Sequence, residues 1–153
     1  MRKASLGIVL AAVAGLSAFE VNAVWAAPTR QLGVYEEFAT ANCAMGAGCI
    51  VYFSEVLKPL KITKVSCNFV INNQNASLTG AVLGAATAAK TQFKGAQYLA
   101  TVETLDFAPT FEQYQVLADT LHVVAAKYRP AIQIGFNVQA TSTMNCSIAG
   151  SET

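Results

Sequence analysis

The chain has 153 residues, is 54% hydrophobic and carries ten basic against nine acidic side chains. That length is one domain's worth of chain, at roughly 100 to 200 residues per domain, and two domains would each be too small. A nucleic-acid binder needs a clustered basic face to displace counterions, and no such cluster exists here, so nucleic acid is excluded as a partner.

The N-terminus reads as an export signal. Arg2 and Lys3 supply a positive start, and Leu6 to Phe19 form an uncharged apolar run that ends near small residues. Glu20 and Asn22 close the run before the roughly 20 apolar residues that a spanning helix needs, so it is a leader and not an anchor. Cleavage fits after Ala23 or after Ala26 or Ala27, and the later site divides the chain into a signal peptide, 1–27, and a mature domain, 28–153. No cysteine follows either site to carry a lipid, and no second apolar run is long enough to span. The mature chain is therefore expected to be a soluble protein of the periplasm or the extracellular medium.

In the segment Thr29 to Thr40, Val34, Glu36, Phe38 and Thr40 alternate imperfectly. Glu36 and Glu37 are adjacent, so a strand would send them to opposite faces and prevent them from acting as a catalytic pair. All four cysteines, Cys43, Cys49, Cys67 and Cys146, lie in the mature part, and an even count in an exported chain argues for two disulfides. Three pairings are open. The preferred one joins Cys43 to Cys49 across a turn at Ala44–Gly48, whose glycines permit tight closure, and Cys67 to Cys146 across most of the domain. A four-cysteine zinc site needs two close pairs, and only one exists.

Cys49 to Phe53 reads as a strand, with a break at Glu55 to Pro59. Lys58, Lys61 and Lys64 then flank the turn and enter the next strand, as a lysine edge that discourages aggregation would. Val65, Cys67, Phe69 and Ile71 share one face of that strand, while Lys64, Ser66 and Asn68 share the other. Asn72 to Asn75 is a turn. The small-residue stretch Leu78 to Ala89 is a buried strand or a short alanine-rich helix. Gln97 to Leu105 is a further strand and Asp106 to Pro109 a further break.

Between residues 113 and 128 two readings compete. Tyr114, Leu117, Ala118, Leu121, Val124, Ala125 and Tyr128 recur at helical spacing. The β-branched Thr120, Val123 and Val124 favour two short strands bent near Ala118-Asp119, with Leu121, Val123 and Ala125 inward. Strands are preferred. Ile132, Ile134, Phe136, Val138 and Ala140 then alternate with polar residues, and Met144, Cys146 and Ile148 continue the pattern. Cys67 and Cys146 both point inward, which supports their pairing.

These elements make an all-β fold, a single antiparallel sandwich of jelly-roll or Ig-like type with two disulfides. The spacing of Cys49-Ile50-Val51-Tyr52-Phe53, Val65-Ser66-Cys67, Arg129-Pro130 and Cys146-Ser147-Ile148-Ala149-Gly150 resembles small exported proteobacterial β-sandwich proteins of unknown function. That resemblance implies a fold and a compartment and transfers no functional residue.

His122 is the only histidine, hence the sole imidazole for acid or base catalysis, with Ser142 or Ser147 and Asp119 or Asp106 as conceivable partners. No Gly-x-Ser-x-Gly elbow, phosphate loop or calcium loop accompanies it, so no catalytic residue, cofactor or metal is assigned. Tyr35, Tyr52, Tyr98, Tyr114 and Tyr128 either line the core or offer stacking surfaces to a glycan or protein partner. The expected function is a non-catalytic binding module of the cell envelope. A pilin-like or fibre subunit whose Thr29 to Thr40 segment adds a strand to a neighbour is the alternative, and a small hydrolase using His122 the next.

Overall fold

The computed structural model describes residues 24–73, 75–90, 93–107 and 111–153. Of the proposed leader, residues 1–23 lie outside the described residues. The fold is all-β and antiparallel. Its strands are β1 (Val24–Trp25), β2 (Thr29–Gln31), β3 (Val34–Tyr52), β4 (Leu60–Asn72), β5 (Leu78–Thr87), β6 (Phe93–Leu99), β7 (Val102–Phe107), β8 (Phe111–Val124) and β9 (Tyr128–Glu152).

Both layers of the sandwich belong to one hydrogen-bonded sheet folded over on itself. Strand β9 pairs along one side with nearly all of β3, and along the other side with β4 and then β5. Its C-terminal part, with β4 and the start of β3, makes the first layer, which β8 and β7 extend. Its N-terminal part, with the end of β3 and β5, makes the second layer, which β6 extends. The fold line crosses both long strands, β3 and β9, and passes the connection between β4 and β5. Strand β3 shifts register between Cys43 and Gly48, β9 leaves Asn137, Val138 and Gln139 exposed, and the connection between β4 and β5 falls beside them, where the Asn137 amide donates to the Ser77 carbonyl at 3.1 Å.

The inward set keeps the same parity on either side of this line, because side chains alternate along a strand. In β3 it is Tyr35, Glu37, Ala39 and Ala41, then Cys49 and Val51; in β9 it is Ile132, Ile134 and Phe136, then Ala140, Met144, Cys146 and Ile148. Strand β4 changes phase once, from Leu60 and Ile62 to Val65, Cys67, Phe69 and Ile71, at a bulge opposite Gly150. A Cβ on Gly150 would lie 2.1 Å from the Lys61 carbonyl oxygen, so only glycine fits against the bulge.

Both disulfides form, Cys43 to Cys49 and Cys67 to Cys146. Cys67 and Cys146 are register partners, with Cα atoms 4.1 Å apart, and both side chains enter the core. Ala44–Gly48 is not the expected turn. It is the bent middle of one 19-residue strand, so the short disulfide braces a corner.

Four further expectations change. Residues 111–124 form a single strand, β8, whose inward residues include Val116 and Val124; Leu121, Val123 and Ala125 face out, because Tyr114 and Val116 fix the phase of the buried side. Val138 is 40% exposed because it sits on the corner. Lys61 and Lys64 do not mark a sheet edge, since β4 is an interior strand between β9 and β8 and its lysines project from the outer face. Gln97 to Leu105 is divided between β6 and β7, and residues 108–110 of the expected break lie outside the described residues.

The loops closed by the bridges span 79 and 6 residues. The chain-entropy relation then predicts that Cys67→Ala/Cys146→Ala lowers unfolding free energy by about 4.5 kcal/mol and Cys43→Ala/Cys49→Ala by about 2 kcal/mol. Urea unfolding of the two double variants checks the order and the gap.

Candidate functional site

Three places on the molecule concentrate polar chemistry: a buried carboxylate knot, a groove around His122, and the outer face of the first layer.

Glu37 is 2% exposed, on the inward side of β3, and its carboxylate takes bonds from two parts of the chain. It accepts from the Tyr35 hydroxyl, from the Ser54 hydroxyl at 2.7 Å and from the Ser54 backbone N–H at 2.9 Å. Glu37 precedes the Cys43–Cys49 corner and Ser54 follows it, so the knot ties the beginning of β3 to the segment beyond its end. Glu36 faces solvent, as the alternation required. Arg30, on β2, lies with its guanidinium carbon 5.6 Å from the Tyr35 ring centroid and its Nε 3.1 Å from a Glu152 carboxylate oxygen. Both carboxylate oxygens of Glu37 accept from donors of the chain itself, so its role is architectural. Glu37 escaped the sequence reading because a glutamate in an alternating strand is ordinarily a solvated one. Its hint was parity with Tyr35 and Ala39.

His122 lines an open groove of about 260 Å³ where β6 approaches β8. Burial holds its imidazole below the usual histidine range, so the ring is neutral at pH 7. The candidate catalytic partners do not gather there. Asp119 is on the opposite, exposed side of β8. Ser147 faces out from β9, opposite Ser66. Ser142 is buried and pairs with Ile71, nine positions along β4 from Ile62, the register partner of His122; at about 3.3 Å per residue that separates them by roughly 30 Å. The Asp106 side chain lies outside the described residues. Among the described residues no three histidine, cysteine or acidic side chains cluster as metal ligands.

The outer face of the first layer is organised in cross-strand rows, read through β3, β9, β4 and β8. One row is Thr40, Asn145, Asn68 and Gln115; the next is Asn42, Thr143, Val70 and Gln113; on the other side lies Phe38, Ser147, Ser66 and Leu117. None of these twelve side chains is charged. Hydrogen bonds hold the amides in place: Thr40 donates to Asn145 Oδ1 at 2.9 Å, Gln113 Nε2 to Asn68 Oδ1 at 3.0 Å, and Thr143 to Asn42 Oδ1 at 3.0 Å. Charge returns only in the following row, Glu36, Ala149, Lys64 and Asp119. With strands about 4.8 Å apart, the uncharged patch is roughly 14 Å on a side. Phe38 and Leu117, 47% and 83% exposed, stand at two of its corners.

The tyrosines divide: Tyr35 and Tyr114 are buried, Tyr52 and Tyr128 half-buried, and Tyr98 is 82% exposed. The segment Thr29 to Thr40 is engaged within its own chain, as β2 and the first part of β3. Fold and surface together define an all-β, disulfide-braced domain with an uncharged, mostly polar outer face on its first layer. No protein-family model and no curated protein matches the chain. No helix among the described residues is long and apolar enough to cross a membrane.

Burial raises the Tyr35 hydroxyl far above its ordinary value of 10, reinforced by its bond to Glu37 and by that residue's negative charge, against a smaller opposing pull from Arg30. Burial likewise pushes Tyr114 up to about 12, together with its bond to Glu112. A folded-state value raised above the unfolded one gives stability that is complete below pH 10 and is lost as the pH climbs beyond it. Tyr35→Phe should therefore flatten the decline of stability between pH 10 and 11. At pH 7 it should cost about 1.5 to 3 kcal/mol, the worth of a hydrogen bond to a charged group. Urea unfolding across that pH range measures both effects.

Proposed function

We propose that this chain is an exported, non-catalytic binding module of the cell envelope or the surrounding medium, and that it takes an uncharged glycan on the outer face of its first layer. The observation that carries this reading is the set of three adjacent rows in which nine of the twelve side chains are amides or hydroxyls, the others are Val70, Phe38 and Leu117, and none is charged. Asn and Gln amides offer a donor and an acceptor side by side, the pattern that adjacent sugar hydroxyls complement. The exposed Phe38 ring adds an apolar surface for the face of a sugar ring. The side chains are already bonded to one another, which reduces the ordering cost on binding. Export rests on the leader-like N-terminus and is in keeping with two formed disulfides.

Incubation of the exported protein with insoluble cellulose, starch and chitin tests the proposal. Retention on at least one of them is expected, with at least tenfold weaker binding for Phe38→Ala/Gln115→Ala and no change for His122→Ala. Failure to bind any uncharged polysaccharide, or indifference to the double substitution, would refute it, as would a hydrolytic activity abolished by His122→Ala in a folded protein.

A fibre subunit remains the second reading, favoured by one observation. Among the described residues β7 pairs with β8 only through Gln115, so the outer edge of β8 beyond it has no ladder partner, and Leu117, Leu121 and Val123 are exposed beside it. An open edge with apolar neighbours can accept a strand from another copy. Strictly monomeric sedimentation at high protein concentration would count against it.

A further inference from the structure

We propose that the groove at the seam between β6 and β8 is a second binding site, for a small carboxylic acid with a short apolar body. The two strands meet there without a backbone ladder; a side-chain bond from the Thr120 hydroxyl to Gln97 Oε1 at 2.6 Å joins them. Further along the seam the strands part, and the groove opens between Lys94 and Gly95 on one side and His122 and Val123 on the other.

Local backbone geometry shapes the opening. Gly95 has φ +64°, and the register of β5 against β6 slips between Ala85, opposite Lys94, and Leu83, opposite Gln97. This glycine-centred bulge turns Lys94 to the inward side, since its partner Ala85 belongs to the core. A Cβ on Gly95 would lie 3.7 Å from His122 Cε1, so the missing side chain keeps that wall open. Ala85, Val123, Ala125 and the Tyr128 ring make the remaining lining apolar.

The polar groups in the groove select for a negative charge. The Lys94 ammonium lies 5.9 Å from the Tyr128 ring centroid and has no carboxylate at ion-pair distance among the described residues. The neutral His122 ring has no hydrogen-bond partner among the described residues, so it has a donor to offer. No acidic side chain lines the groove. A cation and a neutral donor above an apolar floor suit a carboxylate head on a short hydrocarbon tail. The volume, about 260 Å³, falls just under the range of pockets that hold drug-sized ligands.

The site is separate from the glycan face, so the two can fail independently. The test is an amide-resolved NMR titration of the full mature protein at pH 7 and constant ionic strength, with sodium butyrate, its neutral isostere butyramide, and inorganic phosphate. Saturable shifts confined to residues 94–97, 120–125 and 128 are expected with butyrate, at least tenfold weaker with butyramide and weaker with phosphate. Lys94→Met, at an exposed side chain, should reduce butyrate affinity at least tenfold while the rest of the spectrum is unchanged, and His122→Phe should reduce it as well. Equal responses to butyrate and butyramide, a stronger response to phosphate, an unaltered affinity in Lys94→Met, or no saturable shift at all would each overturn the proposal.

Discussion

The architecture depends on a corner. Strand β9 has 25 residues and would extend about 80 Å if straight, whereas a domain of this size has a radius of gyration near 14 Å. Such a strand has to bend, and its neighbours must bend with it to keep their ladders. Strand β3 does so around Cys43–Cys49, and β4 gives way to β5 beside the same line. Glu37 then closes the corner by reaching Ser54. Burying a carboxylate costs several kcal/mol unless donors surround it, and the Tyr35 hydroxyl together with the hydroxyl and backbone N–H of Ser54 supplies them. Removing any one leaves a buried charge short of a partner, so the knot specifies one geometry for the corner as well as holding it.

That geometry decides where surfaces can arise. Because β9 and β4 are interior strands of the first layer, their outward Asn, Thr and Ser residues sit between neighbours and form a continuous sheet face. The second layer ends at β6, which among the described residues meets β8 through the bond from Thr120 to Gln97 and borders the groove that holds Lys94 and His122. A polar face and a cationic groove on opposite features of one folded sheet are independent chemistries, and either can be altered without moving the core.

Strand periodicity made much of this fold legible in the sequence. Val65, Cys67, Phe69 and Ile71, and Met144, Cys146 and Ile148, alternate strictly, so their inward faces could be read directly and favoured one of the three possible cysteine pairings. The phase of β8 could not, because its exposed side carries Leu117, Leu121 and Val123, which are as apolar as its buried side. Hydrophobicity alone then gives no direction. The corner was hidden for a related reason: Ala44–Gly48 has the composition of a turn, and the continuity of β3 through it is enforced by pairing with β9, a long-range contact that local propensity does not encode. The polar face was invisible for lack of register. Asn68, Asn145, Thr40 and Gln115 are scattered along the chain and become one row only when four strands align.

The most direct measurement of the folded-over sheet is native-state hydrogen exchange on the mature protein. Since β3 and β9 run through both layers, amides of Ile132 and Ile134 in the second and of Met144 and Ile148 in the first should exchange through the same global opening, with the same free energy and denaturant dependence. The Ser54 amide, bonded to Glu37 beyond the end of β3, should share that protection. Exchange of the second layer through a separate, lower-energy opening, or an unprotected Ser54 amide, would contradict a single sheet closed by the Glu37 corner.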